Sequence, residues 1–183
     1  MGFNASEFRS RFTKWSRPAA ANKFEVILER IPDVLEGKLT PKEIETFNNL
    51  RYRIQTADIP ARSFETQERR HNGPQRIMPF GLIYTTQQIE IIEDEDGTIK
   101  KIFDKWHSAV FNQETSYKVA YYDDVVSDMF LRIFNSKGEV TSEIKFLEAY
   151  PVSVAPAQLA WNNNDSVLVI PVEFVYREWR VVK

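Results

Sequence analysis

Apolar residues along this chain recur mostly at every second position, and in one stretch at helical spacing. Phe24 to Ile31 (FEVILERI) reads as a first strand, stopped by Pro32. From Leu50 to Thr56 the chain alternates, with Leu50, Tyr52, Ile54 and Thr56 on one face and Arg51, Arg53 and Gln55 on the other. That is the pattern of a strand with one buried face. Phe80 to Ile92 predicts a long strand and Tyr117 to Tyr122 a short one. Asp128 to Phe134 and Glu139 to Ala149 predict a hairpin across Asn135-Ser136-Lys137-Gly138. On its second arm Val140, Ile144 and Phe146 oppose Thr141, Glu143 and Lys145. A Pro- and Asn-containing connection over 150–164 leads to a last strand, Val167 to Trp179. Pro171 inside that strand predicts an edge position or a bulge.

Helical spacing is clearest at Ile99, Ile102, Phe103, Trp106 and Val110, which predicts a helix over about 98–111. The acidic run Glu93 to Asp96 before it suits the positive end of the helix dipole. Thr40-Pro41-Lys42-Glu43 has the form of a capping box with proline at the first helical position, so a short helix follows over 41–48. In the polar segment 1–22, Phe8, Phe12 and Trp15 fit either a short amphipathic helix or a loosely ordered arm. Residues 60–79 carry many charges and few apolar anchors and predict a long connection. Connections of that length are usually functional or mobile. With six or seven strands, one strong helix and no βαβ rhythm, the expected fold is mainly β. It is an antiparallel sandwich or barrel with a flanking α-helix, forming one domain over 1–183.

Composition narrows the function. The 24 Lys and Arg against 26 Asp and Glu give a net charge of -2, which argues against a general nucleic-acid binder. The chain has no cysteine, which excludes disulfides and thiolate chemistry. His71 and His107, the only two histidines, are too few and too scattered for a metal site. The start lacks the apolar core of a signal peptide, and no window is long enough to be a membrane anchor, so synthesis in the cytoplasm is expected. Asp123-Asp124 and the run 93–96 are the only cation candidates, and neither has EF-hand spacing. No catalytic motif and no cofactor fingerprint is present, and an enzyme is not expected. Arg62, Arg69, Arg70 and Arg76 fit an interface that pairs with carboxylates of a neighbouring subunit, a mobile loop, or a nucleic-acid contact.

The order of features resembles a known family. Ser16-Arg17-Pro18 leads into Asn22-Lys23-Phe24-Glu25-Val26; Thr56-Ala57-Asp58-Ile59-Pro60-Ala61 ends a strand; Phe103-Asp104-Lys105-Trp106 lies on the helix. Ala149 to Val154, Leu159-Ala160-Trp161-Asn162-Asn163-Asn164 and Tyr176-Arg177-Glu178-Trp179 close the chain. Over roughly residues 16–180 this resembles the tail tube proteins of contractile-tailed, T-even-like bacteriophages, with residues 33–48 as an apparent insertion. The resemblance implies hexameric rings stacked into a virion tube. Its partners would be the tail sheath protein, the baseplate and tail terminator proteins, and the tape measure protein and phage DNA in the lumen. It also implies that 60–79 is an inter-ring loop, with Arg62, Phe64, Arg69, Arg70, His71 and Arg76 at the contact. Arg51, Arg53, Glu90, Thr141, Glu143 and Lys145 are the lumen-facing candidates. The alternatives are a baseplate–tube junction or injection-system tube protein and, in another class, a monomeric carbohydrate- or cation-binding β-sandwich module.

Overall fold

Alternation sorts each strand into a core face and an outer face, and the pairing of strands lines the core faces up. The computed structural model describes residues 6, 19–70, 73–111, 118–157, 159–160 and 167–183. The strands are β1 (Phe24–Leu28), β2 (Ile54–Ala57), β3 (Arg62–Arg69), β4 (Arg76–Tyr84), β5 (Gln87–Ile92), β6 (Ser127–Phe134), β7 (Val140–Val154), β8 (Val169–Val175) and β9 (Glu178–Val181). The helices are α1 (Pro41–Asn48), α2 (Thr98–Val110) and α3 (Tyr122–Val125). The main sheet runs β1-β6-β7-β8-β5-β2, antiparallel throughout, with β9 also paired to β7. Strand β7 is long enough to serve two sheets. Its first part lies between β6 and β9, and its last residues pair with β8.

The passage from one sheet to the other is a bulge. Ser127 faces Ala149 but Met129 faces Phe146, so Leu147 and Glu148 together oppose Asp128. Glu148 takes the left-handed conformation there (φ 56°), which glycine usually fills in such bulges. Its N–H donates to Asp128 Oδ1 at 3.0 Å, and its carboxylate pairs with Arg177. The extra residue exchanges the faces: Ile144 and Phe146 point inward before it, Ala149 and Pro151 after it.

The core collects these inward residues with helix α2. Trp106 has its ring centroid 6.2 Å from those of Phe47, Phe103 and Phe174, and its Nε1 donates to the Val125 carbonyl at 3.1 Å. The acidic run caps α2 directly. Glu93 accepts from the N–H groups of Ile99 and Lys100 at 2.9 and 2.8 Å, and Asp94 accepts from Thr98 N–H at 2.7 Å. At α1 the capping box is complete, and Glu43, only 5% exposed, also accepts from Lys105 Nζ at 2.7 Å.

Three of these carboxylates make stability fall in acid. Burial alone would raise Glu43, but bonds from Lys105 and Thr40 outweigh it and hold the group below its ordinary value. Burial is likewise outweighed at Asp94 by Thr98, and at Asp128 by Lys145 and the Glu148 N–H. A carboxylate depressed in the folded state contributes stability above its unfolded pKa and loses it as pH falls through the folded value. Urea midpoints should therefore drop between about pH 5 and pH 3, and Asp128→Asn should flatten that slope. An unchanged slope in Asp128→Asn would mean that this carboxylate contributes nothing to acid sensitivity.

The structure corrects several expectations. Residues 60–79 are not a loop without structure of its own, since most of them belong to the β3–β4 hairpin. The strand expected over 80–92 is broken at Thr85-Thr86 into β4 and β5, and the one over 167–179 is broken into β8 and β9. Leu50–Tyr52 is a 3₁₀ turn, so β2 starts only at Ile54, and Tyr52 is 72% exposed rather than buried. In place of the strand at 117–122 stand a single bridge, Phe111 to Val119, and helix α3. The connection expected from 150 starts later, because β7 runs to Val154. Pro171 lies in β8, an inner strand, on the side where β7 runs out, and its carbonyl accepts from Ala155 N–H at 2.9 Å.

Candidate assembly interface

A two-stranded sheet is marginal in water unless something covers it. The hairpin β3–β4 is such a sheet, set apart from the main one. Every residue of β3 is exposed, and β4 exposes Phe80 at 67% and Ile77 at 66%, with Met78, Leu82 and Ile83 also open. Phe64, 68% exposed, faces Leu82, and Glu68 faces Ile77, so one side carries Phe64, Ile77, Pro79 and Leu82. Side chains of this kind on a projecting element mark a contact surface. Among the candidate interface residues, Arg62, Phe64, Arg69 and Arg76 lie in the strands and Arg70 just beyond β3, whereas His71 lies outside the described residues. The apolar members Phe80 and Leu82 escape notice in the sequence because they read there as part of one long strand, and Ile77 because it falls within the expected connection.

The body has two outer faces, one on each sheet. On the β1-β6-β7-β9 sheet, Thr141, Glu143 and Lys145 share the outward side, as their alternation requires. Their charges are paired within the face. Lys145 lies 2.7 Å from Asp128 and 3.2 Å from Glu29, and Arg132 pairs with Glu143 and, more loosely, Glu25. Hydrogen bonding to Asp128 chiefly, and to Glu29, holds Lys145 above the ordinary lysine value despite burial. Arg51 joins this face at its margin through Glu25, 3.4 Å away. Glu90 stands apart on β5, in the other sheet, bonded to Thr56 Oγ1 at 2.8 Å. Arg53 caps the 3₁₀ turn, and its charge acts on Asp94. The six lumen candidates therefore do not form one surface.

Reactive groups do not converge in the described part of the chain. A pocket of about 470 Å³ is lined by Lys38, Lys101, Asp104, Lys105, Ser108 and Ala109. Two of its three lysines are engaged, Lys105 with Glu43 and Lys101 with the Asp96 carbonyl at 2.7 Å. Glu93 and Asp94, offered by the sequence as cation ligands, are occupied as helix caps.

Residues 19–182 match the phage tail tube protein family. The chain belongs to that family. It is a structural subunit of a phage tail tube. Three solved structures of contractile systems share the fold of the tube protein. With the PVC sheath/tube terminator of an extracellular contractile injection system in its extended state, identity is 17% over 92% of this chain and 99% of the other, at a TM-score of 0.62. The PVC sheath–tube complex, also extended, gives 15% identity, 98% of each chain and 0.60. The anti-feeding prophage baseplate gives 14%, 91% and 97%, and 0.61. No curated protein matches. In the tube protein, segment 33–48 is built into the fold: its 3₁₀ turn buries Leu35, and α1 is tied to α2 through Glu43.

Proposed function

We propose that the tube protein closes into hexameric rings and that the rings stack into a hollow contractile-tail tube through the β3–β4 hairpin. The observation that carries this reading is the hairpin itself, which exposes Phe64, Ile77, Phe80 and Leu82 on a sheet that pairs with no other strand among the described residues. A head-to-tail contact that closes by rotation makes a ring, and one that does not close propagates as a stack. In this reading the sheath protein lies outside, the baseplate and terminator proteins hold the ends, and the tape measure protein and DNA occupy the lumen of the virion tail. The outer face carrying Thr141, Glu143 and Lys145 is the favoured lumen wall. Its ion pairs leave neither a cationic lane that grips phosphate nor a strong repulsive field.

Negative-stain microscopy of the concentrated protein, beside its mass in solution, tests the reading. The expected result is rings with a central hole and tubes built from them. Assembly that stops at one or two rings would reassign the subunit to the baseplate junction. A monomer that stays single even beside preformed baseplate seeds would overturn the proposal.

A further inference from the structure

The hairpin meets the body at its root, and the root is built from aromatic rings and one arginine. Arg62, the first residue of β3, holds its guanidinium 3.7 Å from the centroid of the Trp179 ring and 6.0 Å from that of Tyr84. It also donates to the Trp179 carbonyl at 3.0 Å. Tyr84, paired with Arg62 across the hairpin, packs against Tyr176, whose ring lies 4.9 Å from that of buried Phe146. A chain of contacts thus runs from the core through Tyr176 and Tyr84 to Arg62 and back to Trp179. Arginine suits this place because its planar guanidinium can stack on a ring and donate in its own plane at once. Lysine offers a point charge and no plane.

Trp179 belongs to β9, which pairs with β7 through Ile144 to Leu147 and stands outside the continuous strand order. The hairpin's direction is therefore tied to the seating of a four-residue strand at the end of the chain. We propose that Arg62 is a positioning residue that aims the hairpin by clamping its root to β9. The hairpin is then held for docking only while β9 is seated. This rests on the hairpin-docking reading above, but the clamp is measurable in the free subunit.

The chain has no cysteine, so two introduced ones can be labelled cleanly. Spin labels at Thr66→Cys on the hairpin and Ser136→Cys on the β6–β7 turn report the hairpin's direction by pulsed electron resonance. The wild-type background should give one narrow distance distribution. Arg62→Ala should raise the population outside that peak roughly tenfold, the scale of one stacked cation with its hydrogen bond. Arg62→Lys should behave nearly as badly, whereas Trp179→Tyr with Arg62 intact, which keeps a ring and the carbonyl for the guanidinium, should keep the narrow peak. In a second readout, Arg62→Ala subunits should elongate wild-type tube seeds more slowly while their melting temperature stays close to wild type. An unchanged distribution in Arg62→Ala, or a Lys variant equal to wild type, would overturn the clamp. Failure of wild-type subunits to elongate seeds would instead count against the docking reading and leave the distance result standing.

Discussion

Trp106→Ala should destabilise the subunit by about 3–5 kcal/mol, the range for deleting a large buried aromatic side chain. The site explains why the upper part of that range is expected. Trp106 is fully buried, and Phe47 of α1, Phe103 of α2 and Phe174 of β8 all pack on it. One ring thus joins both helices to the sheet, and truncation leaves a void bordered by rigid elements that cannot close over it. The Val125 carbonyl also loses its donor, at a cost of about 1–3 kcal/mol if it stays dry. Against a total of about 5–15 kcal/mol for a domain, this brings the subunit near unfolding at working temperature. Urea melts of Trp106→Ala and Trp106→Phe separate the two contributions, since phenylalanine fills much of the void and supplies no N–H. A loss below about 1 kcal/mol for the alanine variant would show that the ring contributes little to holding helices and sheet together.

That helix was legible in the sequence for a physical reason. Ile99, Ile102, Phe103 and Trp106 fall on one face because the other face meets water, and a one-sided environment writes a period into the chain. The capping box at Thr40 and the alternation at Thr141 to Phe146 were legible for the same kind of reason, since each is a local rule with a local cause. The hairpin carries no such period. Both of its faces are open in the subunit, so apolar residues sit on either side of β4 and charges on either side of β3. In the sequence its strands read as a long connection and as part of one long strand. The break between β4 and β5 was hidden because Thr85-Thr86 is a pair that strands tolerate well. Leu50 and Ile54 are both inward, as the alternation required, but Tyr52 between them is turned out by a 3₁₀ turn. The bulge at Glu148 shows the other limit. The sequence offers no glycine there, and the left-handed residue is stabilised by Asp128 and Arg177, partners twenty and twenty-nine positions away. Contacts of that range leave no mark in a local pattern. The lumen candidates divided between two sheets for this reason too, since alternation tells which residues share a strand face but not which strands share a sheet.

Phe64→Asp combined with Leu82→Asp should abolish tube growth while leaving the subunit folded. The two residues face one another across the hairpin on the side that also carries Ile77 and Pro79, and both are exposed in the subunit. Substitutions at exposed positions usually change stability by no more than about 0.5 kcal/mol, so the melting temperature should hardly move. Assembly is where the change is felt. Each apolar side chain buried on docking contributes about 1.5–3 kcal/mol, and a carboxylate put in its place has to be desolvated or keep the surfaces apart. Losing about 4 kcal/mol per docking hairpin raises the concentration needed for elongation about a thousandfold. Replacing Arg69 and Arg76 by alanine should do far less and should act mainly through the association rate and its salt dependence, as rim charges do. Sedimentation of tubes across a concentration series, beside the mass of the soluble fraction, reads both effects. Rings without tubes in the double variant would assign the hairpin to ring stacking, whereas loss of rings as well would move it to ring closure. Tubes formed by the double variant at wild-type concentrations would remove the hairpin from assembly altogether.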